Sequence, residues 1–274
     1  MNNPAELLEP GQQYPLSPGQ IESYREKGHI LLRSVAPRDD VERIRPEIDR
    51  VMTDVAAKKD TQGRVDDYSS LFTQVTNIWR LSAPVRAFVC AERFAGIAAG
   101  LMGVRGVRLY HDQALYKPAG GKPTPWHQDQ FYWPLETENT VTMWMPLIDL
   151  TRDMGTMIFA GGSHRGGSLL DCSISDESHR EYERIVSERG WKIDTDDLRE
   201  GDATFHAGWT VHSAHPNKSE RVRKVLTVIY YADGTKVART ANEFRRADMG
   251  VFLPGCRPGD EAASPLNPLL YPRR

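Results

Sequence analysis

At Gly106 the chain changes period, and no other feature constrains its fold as strongly. Before that point apolar residues recur at helical spacing, with Val41, Ile44, Ile48, Val51 and Val55 in one stretch and Val85, Phe88, Val89, Phe94 and Ile97 in another. After it, short runs rich in β-branched and aromatic residues alternate with turns that carry Gly and Pro. Residues 107–116 read as a strand and 117–125 as a turn. Further strands read at 140–147 and 156–160, then as three short segments at 202–206, 210–214 and 222–231. Many short strands with tight turns beside helices predict a mainly β protein with a helical flank, a sandwich or jelly roll.

The helical half carries its own punctuation. Ser17-Pro18-Gly19-Gln20 reads as a helix start, with Ser at the N-cap, Pro at the first helical position and Gln closing a capping box. That helix should stop near Gly28 and give way to a short strand, His29 to Leu32. A second helix is expected from about Asp39, with Pro46 inside it able to kink or split it. One helical stretch is expected from Ser82 to Met102, and a helical insert from Asp176 to Arg189 with Tyr182, Ile185 and Val186 on one face. The polar, charged segment from Lys58 to Tyr68 is expected to be exposed, in a loop that runs on to Asn77, with residues 1–16 a loose arm and the Pro- and Gly-rich tail from Asp233 onward a wrap over the surface. The whole, residues 1–274, is read as one unit: 1–105 mostly helical support, 106–232 the β core, 233–274 a C-terminal extension.

Composition removes several functions. The net charge is −2 at pH 7 with both signs interspersed, so there is no basic footprint for nucleic acid. No apolar run approaches a membrane span. Cys90, Cys172 and Cys256 are odd in number and far apart, which argues for a reducing compartment and against a disulfide framework or a thiolate zinc site. With no signal-peptide pattern at the N-terminus, the expected location is the cytoplasm.

The chemistry centres on Pro125-Trp126-His127-Gln128-Asp129-Gln130-Phe131-Tyr132-Trp133-Pro134. On an extended backbone His127 and Asp129 share a face and Gln128 takes the other. An imidazole and a carboxylate on one face are two parts of the two-His, one-carboxylate triad that holds non-haem Fe(II). The third ligand must come from a distant strand, and spacing leaves three choices open: His206, His212 and His215. A 2-oxo-acid cosubstrate would also need a cation for its far carboxylate, for which the forked guanidinium of Arg221 or Arg223 is suited.

Residues from about Leu109 to Tyr231 resemble the phytanoyl-CoA dioxygenase family of Fe(II)/2-oxoglutarate-dependent oxygenases. The likeness rests on an ordered set. Gln113 and Lys117 precede His127-Gln128-Asp129, and Trp144 follows on the next strand. Gly161-Gly162-Ser163-His164 resembles the family's Pro-Gly-Ser-His turn, and His212 precedes Asn217-Lys218-Ser219 and Arg223. The resemblance implies a double-stranded β-helix (a jelly-roll form), with Fe(II) on His127, Asp129 and His212. It also implies 2-oxoglutarate clamped by Arg223 and touched by Gln113 and Trp144, with O2 as the second cosubstrate. The expected outcome is hydroxylation of a small molecule with release of succinate and CO2, the same cofactors also serving desaturation, epimerisation or ring closure. Asp129 argues against halogenation, because related halogenases lack that carboxylate.

Each residue has a plainer alternative. Gln113 can be a strand residue satisfied by backbone, Trp144 a core side chain, Lys117 a structural cation, and His206 a packing residue at a strand end. His111, Tyr132 and Trp133 flank the triad and are candidates for a substrate pocket, as are Tyr68 and Phe72 in the loop that, with the tail, is the candidate lid. Two other classes remain: a metal-binding jelly roll without turnover, and a zinc hydrolase using the same three ligands and water.

Overall fold

The computed structural model describes residues 12–59, 73–240 and 242–272. Helix α1 (Pro18–Lys27) starts as the sequence predicts: the Ser17 side chain accepts from the Gln20 backbone N–H, and the Gln20 side chain accepts from that of Ser17. It ends at Gly28, whose φ of 76° is left-handed. A Cβ there would also run into His164 and Thr210, so glycine is required twice over. Strand β1 (His29–Leu32) follows, then α2 (Arg38–Lys59), which continues through Pro46 without splitting. Strand β2 (Thr73–Thr76) lies where the sequence suggested only loop. The single stretch expected over 82–102 is two helices, α3 (Ala83–Val89) and α4 (Glu92–Met102), broken at Cys90 and Ala91.

The β region comprises β3 (Val107–Lys117), β4 (Thr124–His127), β5 (Thr140–Pro146), β6 (Met157–Ala160), β7 (Ile193–Asp194), β8 (Ala203–Ala207), β9 (His212–Ala214) and β10 (Arg223–Ala232). Helix α5 (Asp176–Arg189) sits between β6 and β7 with the bounds the sequence predicts. The tail departs from expectation. Rather than only wrapping the surface, it forms α6 (Glu243–Phe252) and β11 (Leu269–Tyr271), and the latter joins the main sheet beside β3.

Among the described residues the strands form two antiparallel sheets. The larger has the order β1-β8-β5-β10-β3-β11 with β2 also on β3, and the smaller has β4-β9-β6-β7. This is the jelly-roll form, with a cavity between the two layers. Side chains on β10 alternate strictly. Leu226, Val228 and Tyr230 face the helical side and join the main core with Ile44, Ile48, Phe88 and Phe94. Val225, Ile229 and Tyr231 face the other way. Lys224, on the helical side, pairs with Asp49 of α2 at 2.8 Å. The β10–β3 register shifts between Ile229 and Tyr230, a bulge that leaves Tyr110 opposite neither and lets it join Trp133, Tyr231 and Phe252 in a second core.

Candidate active site

His127 ends β4 and His212 begins β9, directly opposite each other in the register of the smaller sheet. Asp129 lies one residue past Gln128, which keeps an extended backbone (φ −125°, ψ 121°) before a 3-10 turn over Asp129–Phe131. The alternation therefore holds across the strand end. Gln128 turns to the opposite face, where its amide donates to the Gly167 and Trp209 carbonyls at 2.8 and 2.6 Å. The turn is seated from below: Gln130 N–H donates to Gly208 O at 3.0 Å. A Cβ on Gly208 would collide with Gln130, Thr140 and Trp133, so only glycine allows this approach.

The ligand atoms of His127, Asp129 and His212 lie within 4.8 Å of one another. Both histidine Nε2 atoms stand 3.5 Å from Asp129 Oδ1. His127 Nδ1 is 2.8 Å from the Pro125 carbonyl and His212 Nδ1 is 2.9 Å from that of Thr210. A carbonyl only accepts, so each Nδ1 carries the proton and each Nε2 presents a lone pair toward the carboxylate. Two lone pairs and an anion converging on one point fit a cation. Burial and the neighbouring His127 push the His212 imidazole well below its ordinary value, which keeps it neutral as a ligand must be. Burial alone would raise the Asp129 carboxyl, but it is held well below the usual carboxylate range, with the His206 N–H among the groups that favour its ionised form.

The three open choices for the third ligand are separated by position. His206, on β8, approaches the other carboxylate oxygen, Asp129 Oδ2, at 3.3 Å. His215 lies beyond the end of β9, outside the residues that line the cavity. The two arginines separate as clearly. Arg223 is 2 % exposed, lines the same cavity as the triad, donates to Gly155 O at 2.9 Å and places its guanidinium carbon 5.6 Å from the Trp144 ring. Arg221 is exposed and borders a different depression with Arg33 and Asp202.

Gln113 and Trp144 also line the triad's cavity, in one register row with Thr227 between them. Gln74, on the unforeseen β2, reaches Gln113 with its side-chain amide. Lys117 sits opposite Arg223 on β3, is fully buried, and donates to Thr124 Oγ1 and His215 O at 3.2 Å. Burial and the nearby Arg223 push its ammonium down to about 7.

The proposed substrate residues do not gather there. His111 is buried and stacks on Phe252 of α6 at 4.1 Å, and Trp133 packs in the second core against Tyr110. The Tyr132 hydroxyl accepts from Ile174 N–H at 3.0 Å, in a crevice on the far side of His127. Tyr68 and Phe72 lie outside the described residues. Reading the sequence passed over Gln74, Thr142, Thr227 and the inward placement of His206. Period two along β8 sets Thr204 and His206 on one face, but only strand pairing shows that this face meets Asp129.

Comparison with known proteins agrees with this geometry. The phytanoyl-CoA dioxygenase (PhyH) family model matches residues 24–225. A probable alpha-ketoglutarate-dependent hypophosphite dioxygenase of Stutzerimonas stutzeri is 23% identical over 226 residues, covering 78% of each chain. Peroxisomal phytanoyl-CoA dioxygenase of Rattus norvegicus is 23% identical over 250 residues, covering 81% of this chain and 70% of that protein. Among solved structures, the epimerase SnoN in complex with Fe3+, alpha ketoglutarate and nogalamycin RO superposes with a TM-score of 0.75 at 25% identity, covering 92% of this chain and 97% of the other. EctD from S. alaskensis with 2-oxoglutarate and 5-hydroxyectoine gives 0.70 at 21% identity, with 86% and 83% covered. A family match across most of the chain, on a fold shared with these enzymes, has one conclusion: the protein belongs to the phytanoyl-CoA dioxygenase family of Fe(II)/2-oxoglutarate-dependent oxygenases.

Proposed function

We propose that this oxygenase holds Fe(II) on His127, Asp129 and His212 and binds 2-oxoglutarate with its far carboxylate on Arg223, to hydroxylate a small molecule. One observation carries the reading. The two Nε2 lone pairs and Asp129 Oδ1 converge in a cavity whose other wall is a buried arginine. Fe(II) held there would, with 2-oxoglutarate and O2, supply the oxidation, one oxygen atom passing to the substrate and the other to succinate, with CO2 released. The chain's own residues bind and orient. Arg223 offers two parallel N–H donors to a carboxylate, which a lysine cannot do. Trp144 limits the cavity beside the guanidinium, and Gln113 supplies an amide to the cosubstrate. Burial removes competing water and strengthens both contacts. Among the described residues Cys90, Cys172 and Cys256 form no disulfide, which supports a cytoplasmic location, and no helix is long and apolar enough to cross a membrane.

Relatives span more than one outcome. EctD was solved with 5-hydroxyectoine, SnoN is an epimerase and SnoK a carbocyclase. Epimerisation or ring closure is therefore the second reading for the same cavity. The test is an anaerobic titration of apo-protein with Fe(II) and then 2-oxoglutarate, following the visible metal-to-ligand charge-transfer band. The wild type should develop the band and His212→Ala should not. Iron-loaded, folded protein with no band would overturn the assignment. Succinate release across candidate substrates would then identify the reaction.

A further inference from the structure

The two oxygens of Asp129 have different neighbours. Oδ1 faces His127 and His212, each at 3.5 Å. Oδ2 accepts from the Thr142 hydroxyl at 3.0 Å and lies 3.3 Å from His206 Nε2. Thr142 on β5 and His206 on β8 are register partners, so the larger sheet presents both donors side by side. An ionised carboxylate only accepts, which assigns the His206 proton to Nε2. His206 Nδ1 is then a bare acceptor, and it is buried without a hydrogen-bond partner.

That arrangement is expensive for a packing residue. The ring is 1 % exposed, 4.4 Å from His212 and 5.4 Å from Phe159. A leucine or phenylalanine would fill similar space without stranding a polar atom, whose desolvation is left uncompensated. Buried orphan atoms of this kind call for a reason beyond packing. Here the opposite nitrogen gives one.

We propose that His206 is a positioning residue: with Thr142 it pins Asp129 Oδ2, so that the carboxylate meets the metal through Oδ1 alone. A carboxylate free to rotate can offer both oxygens to a cation and consume a coordination position. Held by two donors on one oxygen, it would leave the remaining positions of a bound metal open to the cosubstrate. The inference rests on the metal assignment above and adds to it a fourth residue that never touches the metal.

The test uses Co(II) as a redox-silent probe, titrated into full-length apo-protein by its visible ligand-field bands, with the melting temperature of the apo-protein recorded in parallel. His206→Gln keeps an N–H donor at the ε position, His206→Asn moves it to the δ position, and His206→Leu removes it. The Co(II) dissociation constant should rise about 10–100-fold in H206L and H206N and stay within about threefold of wild type in H206Q. The Fe(II)–2-oxoglutarate charge-transfer band, taken anaerobically, should move in H206L and return in H206Q. A merely structural histidine would change the apo melting temperature and leave metal affinity alone. Wild-type Co(II) affinity in folded H206L or H206N overturns the proposal, as does an H206Q variant as weak as H206L. If the wild type itself binds no Co(II), the metal assignment fails instead, and the two failures are not confused.

Discussion

Arg221 and Arg223 are two positions apart and chemically identical, yet their surroundings differ completely. Arg223 opens β10, with its side chain buried in the triad's cavity, while Arg221 precedes the strand and is exposed. Arg223→Ala should therefore weaken 2-oxoglutarate binding by about 1.5–3 kcal/mol, the usual value of a hydrogen bond to a charged group, or roughly tenfold to more than a hundredfold. Arg221→Ala should leave it unchanged, as read by cosubstrate titration of the charge-transfer band. The resemblance of the motif pointed to Arg223, but spacing alone did not, because the deciding property is burial. The same holds for the three histidines. Sequence brought His206, His212 and His215 together as candidates, and strand register separated them. His111, Tyr132 and Trp133 show the opposite limit. They lie near the triad along the chain, but β-bulge and turn geometry send their rings into a second core or a separate crevice.

At the scale of elements, what was legible was what is local. The bounds of α1 and α5 follow from caps within three residues of their ends, and the sequence contains them entirely. Ser17→Ala should cost about 1 kcal/mol of stability, seen as a lower denaturation midpoint at unchanged slope. The break between α3 and α4 carries no proline or glycine, only Cys90 and Ala91, so nothing in the residue types announces it. Strands β2 and β11 were missed for a related reason. Each is three or four residues long and exists because β3 offers an edge to pair with. Helix α6 is tied to the site by the same kind of long-range contact: Arg245 donates to the carbonyls of Phe131 and Gln130 at 3.0 and 3.2 Å. Arg245→Ala should loosen the turn that carries Asp129 and raise the Co(II) dissociation constant severalfold, with a smaller effect on 2-oxoglutarate affinity at saturating metal.

Across the whole molecule, a buried imidazole and a partly buried carboxyl give opposite dependences on pH. Burial pushes the His111 imidazole down to about 4. Between 6.5 and 4 the unfolded chain takes up a proton that the folded chain refuses, so stability is lost as pH falls through that window, by up to about 3 kcal/mol. Burial pushes the Asp248 carboxyl up to about 7, where it sits 2.8 Å from the Tyr110 hydroxyl. Between about 4 and 7 the folded chain holds a proton that the unfolded chain releases, so this group's contribution declines as pH rises. His111→Phe should flatten the acid limb of the unfolding free energy, and Asp248→Asn should flatten the decline toward neutrality. Both are measurable by denaturant titration of apo-protein across pH 4–8. Neither group shows itself as titrating near these values in the sequence, since the shift belongs to the packing of α6 over β3.

Strand β10 leaves the molecule with a reading frame. Its odd-numbered residues from Arg223 to Tyr231 serve the cavity and second core, and its even-numbered ones serve the helices, with Lys224 tied to Asp49. A single insertion or deletion inside the strand would transpose the two sets, turning one cation out of the cavity and another off its partner. A substitution there touches one face of the strand, whereas a change of length that is not taken up as a bulge touches both. New contacts to a substrate are therefore accommodated with least disturbance by lengthening or shortening the connections at the ends of the sheets, where the strands that carry His127, His212 and Arg223 keep their count.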